Sequence, residues 1–258
     1  MKRRSGKLLS FTAAIAMLVI ILDTKTALSG AQEAVSMCLR TVIPSLFPFF
    51  VLSGIINSNI LGVRILILRP LGKLCKIPRG AESLLLLGLI AGYPVGAKLI
   101  TMSWRDRSLP DSTAKRMLGF CNNAGPAFLF GMVSPMFEKP IVPWVLWAIH
   151  ISGAIITGWI LPNSVSDSCN IQQGKPITLY QSLQAALKTT ATVCGWVTIF
   201  RIIVAFCDRW FLWRFPVLLR VLFTGCLELA NGCIMLKDVS NEAVRFLVAG
   251  IILASGGL

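Results

Sequence analysis

Acidic side chains are scarce in this chain. It has 11 Asp and Glu in 258 residues against 25 Lys and Arg, and a single histidine, His150. None of its eight cysteines forms a CxxC pair. These shortages exclude whole classes of chemistry. A structural zinc site takes its ligands from closely spaced Cys and His, and c-type haem attachment needs CxxCH; neither pattern occurs. A protease or hydrolase needs paired acids, a Ser/His dyad or HExxH, and His150 stands alone in an apolar run. There is no glycine-rich phosphate loop, so no ATP-driven pump is expected. The expectation is no enzyme activity, no metal and no cofactor.

Charge of either sign is also thin. Only 14% of residues are charged while 55% are hydrophobic, and the mean hydropathy is +0.74. Several apolar runs approach the roughly 20 residues that cross a bilayer, which implies an all-α, polytopic membrane protein whose first partner is lipid. The net charge of +14 does not indicate nucleic acid, because the bases sit in short loops between apolar runs, where they act as topology signals. Cys38, Cys75, Cys121, Cys169, Cys194, Cys207, Cys226 and Cys233 lie mostly within such runs and read as small hydrophobes. "MKRRSGK" before "LLSFTAAIAMLVIIL" has the form of a signal peptide. With so many later spans it is expected to stay as an uncleaved helix, leaving Lys2, Arg3, Arg4 and Lys7 in the cytoplasm and the chain in the plasma membrane.

Along the chain, residues 1–36 are expected to form that helix and a short amphipathic stretch. An apolar run at 41–56 is broken by Pro44 and Pro48, and an interfacial basic helix follows over 61–80. A plain span covers 141–161, a polar loop 162–179, a span 183–206, and a last run begins at 243. Between them, "LLLLGLIAGYPVGAKLI" (84–100) is a hydrophobic helix interrupted by Gly92, Pro94 and Gly96, with Lys98 just beyond. A full crossing here would carry Arg105, Arg107, Lys115 and Arg116 to the outside, against the positive-inside rule. A re-entrant hairpin turning at Gly-Tyr-Pro keeps them cytoplasmic. Its arms of about eight residues, roughly 12 Å each, reach about the bilayer middle.

A second broken run occurs at 215–236. "GLIAGYPVG" (88–96) aligns loosely with "GCLELANGC" (225–233), "TVIPSLFPF" (41–49) with "TVCGWVTIF" (192–200), and "FCNNAG" (120–125) with "LASGGL" (253–258). The order span, broken hairpin, glycine-rich helix recurs with opposite topology. Paired broken helices in inverted halves point to a transporter's binding site. The candidate binding residues are therefore Gly92, Tyr93, Pro94, Gly96 and Lys98 in the first break, Asn122 and Asn123 in "CNNAGP", and Glu228, Asn231 and Gly232 in the second break. A mid-bilayer lysine costs about 2.5–3.5 kcal/mol and is by default functional; Lys98 is expected to pair with Glu228 or to face an anionic solute.

"PSLFPFFVLSGII" (44–56), "GLIAGYPVGAKL" (88–99), "FCNNAGPAFLFGMV" (120–133) and "GCLELANGC" (225–233) together resemble the nucleoside-recognition, or Gate-domain, membrane proteins, closest to the sporulation integral membrane proteins of spore-forming Firmicutes. The resemblance implies two inverted Gate-type repeats, at 37–161 and 180–258, akin to the core of concentrative nucleoside transporters. In the sporulation branch it implies movement of dipicolinate, a small dicarboxylate. The second repeat is expected to be truncated, since it has no counterpart of the first repeat's continuation through 161. The rival expectation is a non-transporting sporulation scaffold, which would need no polar residues converging at the midplane.

Overall fold

The structure, a computed structural model, describes residues 2–162, 169 and 171–255, with side chains from Lys7 onward. The described residues are helical, with no strand among them. Helix α1 (Lys2–Leu22) ends at Asp23, whose carboxylate caps α2 (Thr24–Met37) by accepting from the Thr26 amide at 3.2 Å and the Thr26 hydroxyl at 2.8 Å. A π turn at Cys38–Val42 joins α2 to α3 (Ile43–Ile60). The short α4 (Arg69–Leu74) precedes α5 (Glu82–Ala91), α6 (Val95–Arg105) and α7 (Asp111–Leu118). Helix α8 (Pro126–Phe128) continues through a second π turn, Leu129–Val133. Then come α9 (Val142–Ile160), α10 (Leu179–Trp210), α11 (Val217–Leu227), α12 (Leu229–Met235) and α13 (Glu242–Ser255).

Among the described residues three helices are long and apolar enough to cross a membrane: Thr24–Ile60, Val142–Ile160 and Leu179–Trp210. Long α10 lies antiparallel to α2 and α3, and small residues set the spacing. A Cβ on Gly30 would stand 3.0 Å from that of Ala205, the Cys38 thiol points at the Cys194 carbonyl (3.9 Å), and the Ser182 hydroxyl donates to the Val51 carbonyl at 2.6 Å. Close backbone approach through Gly, Ala and Ser is how helices gain contact where no water drives them together.

The antiparallel pair gives the molecule two ends. At one, Arg116 donates to the carbonyls of Pro162 (2.9 Å), Lys76 (3.2 Å) and Gly158, stapling α7 to the end of α9 and the turn after α4. The open end of the α5–α6 hairpin is fixed here, where Gly62 N–H donates to Ser83 (3.1 Å) and Arg69 pairs with Glu82 (2.9 Å). At the other end Arg209 pairs with Asp23 (2.7 Å), and Arg220 ties the α11–α12 hairpin to Asp208 (2.9 Å).

Several sequence expectations need correction. The short amphipathic stretch is not separate from the run that follows, and the boundary between 36 and 37 falls inside the continuous helical run Thr24–Ile60. Pro44 does not break the run: it follows directly on the π turn Cys38–Val42, at the start of α3. Pro48 is carried inside the helix. The stretch 61–80 is not a continuous helix: Gly80 (φ +97°), Lys76 (φ +51°) and Pro78 confine it to one 3-10 turn and α4. The span at 183–206 is part of a longer helix, which Thr178 and Gln181 start with a reciprocal capping box. Of the polar loop 162–179, residues 163–168 and 170 lie outside the described residues, as do Gly256 and Gly257 of the "LASGGL" match.

Candidate functional site

The first break is built by glycines on both sides. Gly92 ends α5 with φ +66°, a left-handed conformation that glycine adopts without cost. A Cβ there would collide with the Gly125 amide and stand 2.9 Å from the Asn123 carbonyl. Tyr93 N–H donates to that carbonyl at 2.8 Å, so the "GYPVG" tip rests directly on the "NNAG" backbone. The Tyr93–Pro94 peptide is cis, and α6 begins at Val95. Gly88 and Gly96 complete the contact from the two hairpin arms, each against the backbone of Cys121.

The second break is built by one carboxylate. Glu228 is extended (φ −153°, ψ 121°) between α11 and α12. Its side chain accepts from the amides of Ala230 (3.0 Å) and Asn231 (2.7 Å) and from the Asn231 side chain (2.7 Å). An acid in this place satisfies the free N–H groups of the following turn and meets the positive end of its dipole. The Asn231 amide also donates to the Val197 carbonyl of α10 at 3.2 Å, which fixes the hairpin to that helix.

Both breaks face one cavity of about 530 Å³, a size suited to a small molecule. Tyr93 and Pro94 line it from the first break, and Glu228 and Ala230 from the second. Each π turn also contributes, through Val42 and Met132. The remaining wall is apolar, with the rings of Phe50, Phe128, Trp196 and Phe200 set among small and aliphatic residues. The Tyr93 and Phe128 rings lie 5.7 Å apart. The cavity opens past Pro94 and Trp196, which are exposed. Glu228 is the only charged side chain on the wall among the described residues, and the Tyr93 hydroxyl is buried without a hydrogen-bond partner.

The sequence-derived candidates thus separate. Tyr93, Pro94 and Glu228 reach the cavity; Gly92 and Gly96 stand behind it and shape the backbone. Asn123 is half-buried, and its side chain donates to the Phe120 carbonyl at 2.7 Å. Asn122 is exposed. Lys98 does not meet Glu228. The buried face of α6 is Gly96, Leu99, Ile100 and Ser103, which turns Lys98 outward, and its ammonium makes no ion pair or hydrogen bond among the described residues. The second break lies at Glu228, not at Asn231 and Gly232, both of which are buried inside α12. Among the described residues no group of three or more His, Cys, Asp or Glu is placed to hold a metal.

Arg40 was missed in the sequence. The Cys38–Cys194 contact sets this π turn level with the middle of α10, so Arg40 lies deep along the helix pair rather than at its end. The signal was present in "CLRTVIP", where an arginine borders an apolar run.

Over 142 residues the chain is 28% identical to the sporulation integral membrane protein YlbJ of Bacillus subtilis (strain 168). The match covers 54% of this chain and 35% of that protein, so it spans about a third of the relative's length. No family model matches the chain, and no solved structure does. This likeness and the long apolar helices together support a membrane location.

Proposed function

We propose that this chain is a permease-like, multi-pass protein of the plasma membrane in sporulating cells, which binds a small solute between two broken hairpins and performs no catalysis. The observation that carries this is the shared cavity: both helix breaks, far apart in sequence, open on the same space. Non-helical backbone at membrane depth is tolerated where it is buried or lines a cavity, and here it does both.

Two inverted Gate-type repeats are part of the proposal. Supporting it, α3 and α10 run in opposite directions, and the α5–α6 hairpin opens at the Arg116 end while α11–α12 opens at the Asp208 end. The aromatic side chains of the wall suit a flat ring. The dicarboxylate implied by the resemblance has such a ring, but among the described residues no base on the cavity wall meets its charge. With Lys98 turned outward, an anionic group must be met elsewhere. The name of the Bacillus relative supports the sporulation setting.

The test is uptake of labelled dipicolinate into proteoliposomes by the full chain and by Ala127→Phe, which places a ring in the cavity that Ala127 lines. Uptake by the native chain and at least a tenfold loss in the variant, with insertion unchanged, is the expected result. No uptake by either removes the solute assignment and leaves the scaffold reading.

A further inference from the structure

A second space, about 710 Å³, lies between α2, the late part of α10 and the α11–α12 hairpin. Its character is opposite to that of the apolar cavity. Arg40, Arg201, Arg220 and Lys237 line it together with Glu33, Asp208 and Asp238. Two of the bases are neutralised: Arg201 donates to Glu33 (Nε, 3.0 Å) and Arg220 pairs with Asp208 (2.9 Å). Arg40 and Lys237 have no ion pair or side-chain hydrogen bond among the described residues. Arg40 is exposed and level with the middle of α10, and an ionisable side chain within a membrane span is by default a functional candidate.

The two spaces flank the same two helical segments. In the π turn, Thr41 lines the crevice and Val42 lines the cavity. In α12, Asn231 lines the crevice and Ala230 the cavity. The α12 wall is held to α10 by the single side-chain bond from Asn231 to Val197. We propose that the crevice is a second solute subsite, in which Arg40 and Lys237 hold the anionic group, carboxylate or phosphate, of a small solute. Its place on a solute path rests on the permease reading; the anion site itself does not. Guanidinium suits this task because it presents several donors in a fixed plane to a carboxylate or phosphate.

The crevice can be probed without measuring transport. Ser36 is exposed on its wall and no native cysteine lines it. In a chain with Cys169, Cys194, Cys207 and Cys226 replaced by alanine, Ser36→Cys is labelled with a maleimide in phosphatidylcholine nanodiscs. Dipicolinate is expected to slow labelling at least threefold, its neutral diamide to leave the rate unchanged, and Arg40→Gln to abolish the protection. Equal rates with and without dipicolinate overturn the proposal. Phosphatidylglycerol nanodiscs form a second arm: protection by that lipid, with none from dipicolinate, assigns the anion to a headgroup and overturns the solute subsite. Uptake blocked by Ala127→Phe without Ser36→Cys protection removes this inference alone. Protection without any uptake removes the permease reading and leaves the anion site standing.

Discussion

Gly232 and Gly153 are both helical glycines, yet they stand in opposite surroundings. A Cβ on Gly232 would run into the Gly225 backbone across the α11–α12 hairpin, whereas one on Gly153 meets nothing within 4 Å. Alanine gains up to about 1 kcal/mol over glycine in a helix, but overpacking against backbone costs about 1–3 kcal/mol. Gly232→Ala is therefore expected to lower the Tm of the detergent-solubilised protein, and Gly153→Ala to leave it unchanged or raise it. A Gly232→Ala protein as stable as the native one would show that the hairpin arms can separate at no cost, and the second break would then lose its rigidity. The sequence marked Gly232 as a place where the helix gives way. Its actual task is to let two helices touch, and a single chain read along its length does not show what lies across from a residue.

The helical elements show the same division between what runs along the chain and what acts across it. The break between α5 and α6 was legible because Gly92 and Pro94 interrupt an apolar run. The second break lies three residues before Asn231, because a glutamate, an unusual cap, does at Glu228 what glycine does in the first break. The continuity of Thr24–Ile60 was hidden by Pro44 and Pro48, which the helical run carries without a break. At the start of that run, Asp23 supplies an acid-sensitive joint. The Thr26 hydroxyl holds its carboxyl below the ordinary value, helped by the Thr26 amide and by Arg209 and Lys25, and opposed by desolvation. A depressed native value means the cap is fully in place above the unfolded pKa, about 4, and fades as pH falls through the lower native value. Asp23→Ala is expected to speed hydrogen exchange at the Thr26 amide at pH 6, with the difference shrinking as pH falls below the unfolded value of about 4, after correction for intrinsic rates. A difference that persists undiminished in acid would show that the carboxylate charge is not what holds the joint.

At the scale of the whole molecule, charge distinguishes the two ends. Arg64, Lys73, Arg79, Arg105, Arg107, Lys115 and Lys175 are exposed at the end stapled by Arg116, with Asp106 and Asp111 as their exposed acidic neighbours. At the opposite end the bases are interleaved with acids: Arg209 with Asp23, Arg220 with Asp208, and Lys139 with Glu242 at 4.0 Å. The positive-inside bias counts Lys and Arg near span ends, so the Arg116 end is expected to face the cytoplasm and the α5–α6 hairpin to enter from there. Helix α1, tethered through Asp23 at the other end, has 21 residues. At the usual rise it measures about 31 Å, enough to return its N-terminal bases to the cytoplasmic side. In a chain lacking its exposed and half-buried native cysteines, Arg105→Cys should react with a membrane-impermeant maleimide only in inverted vesicles, and Trp213→Cys only in right-side-out ones. The reverse pattern would turn the molecule over, placing the first hairpin on the outer side and the Arg40 crevice toward the cytoplasm. Labelling of both from one side would mean that α10 does not cross, and the opposed hairpins could then not serve as the two faces of a gate.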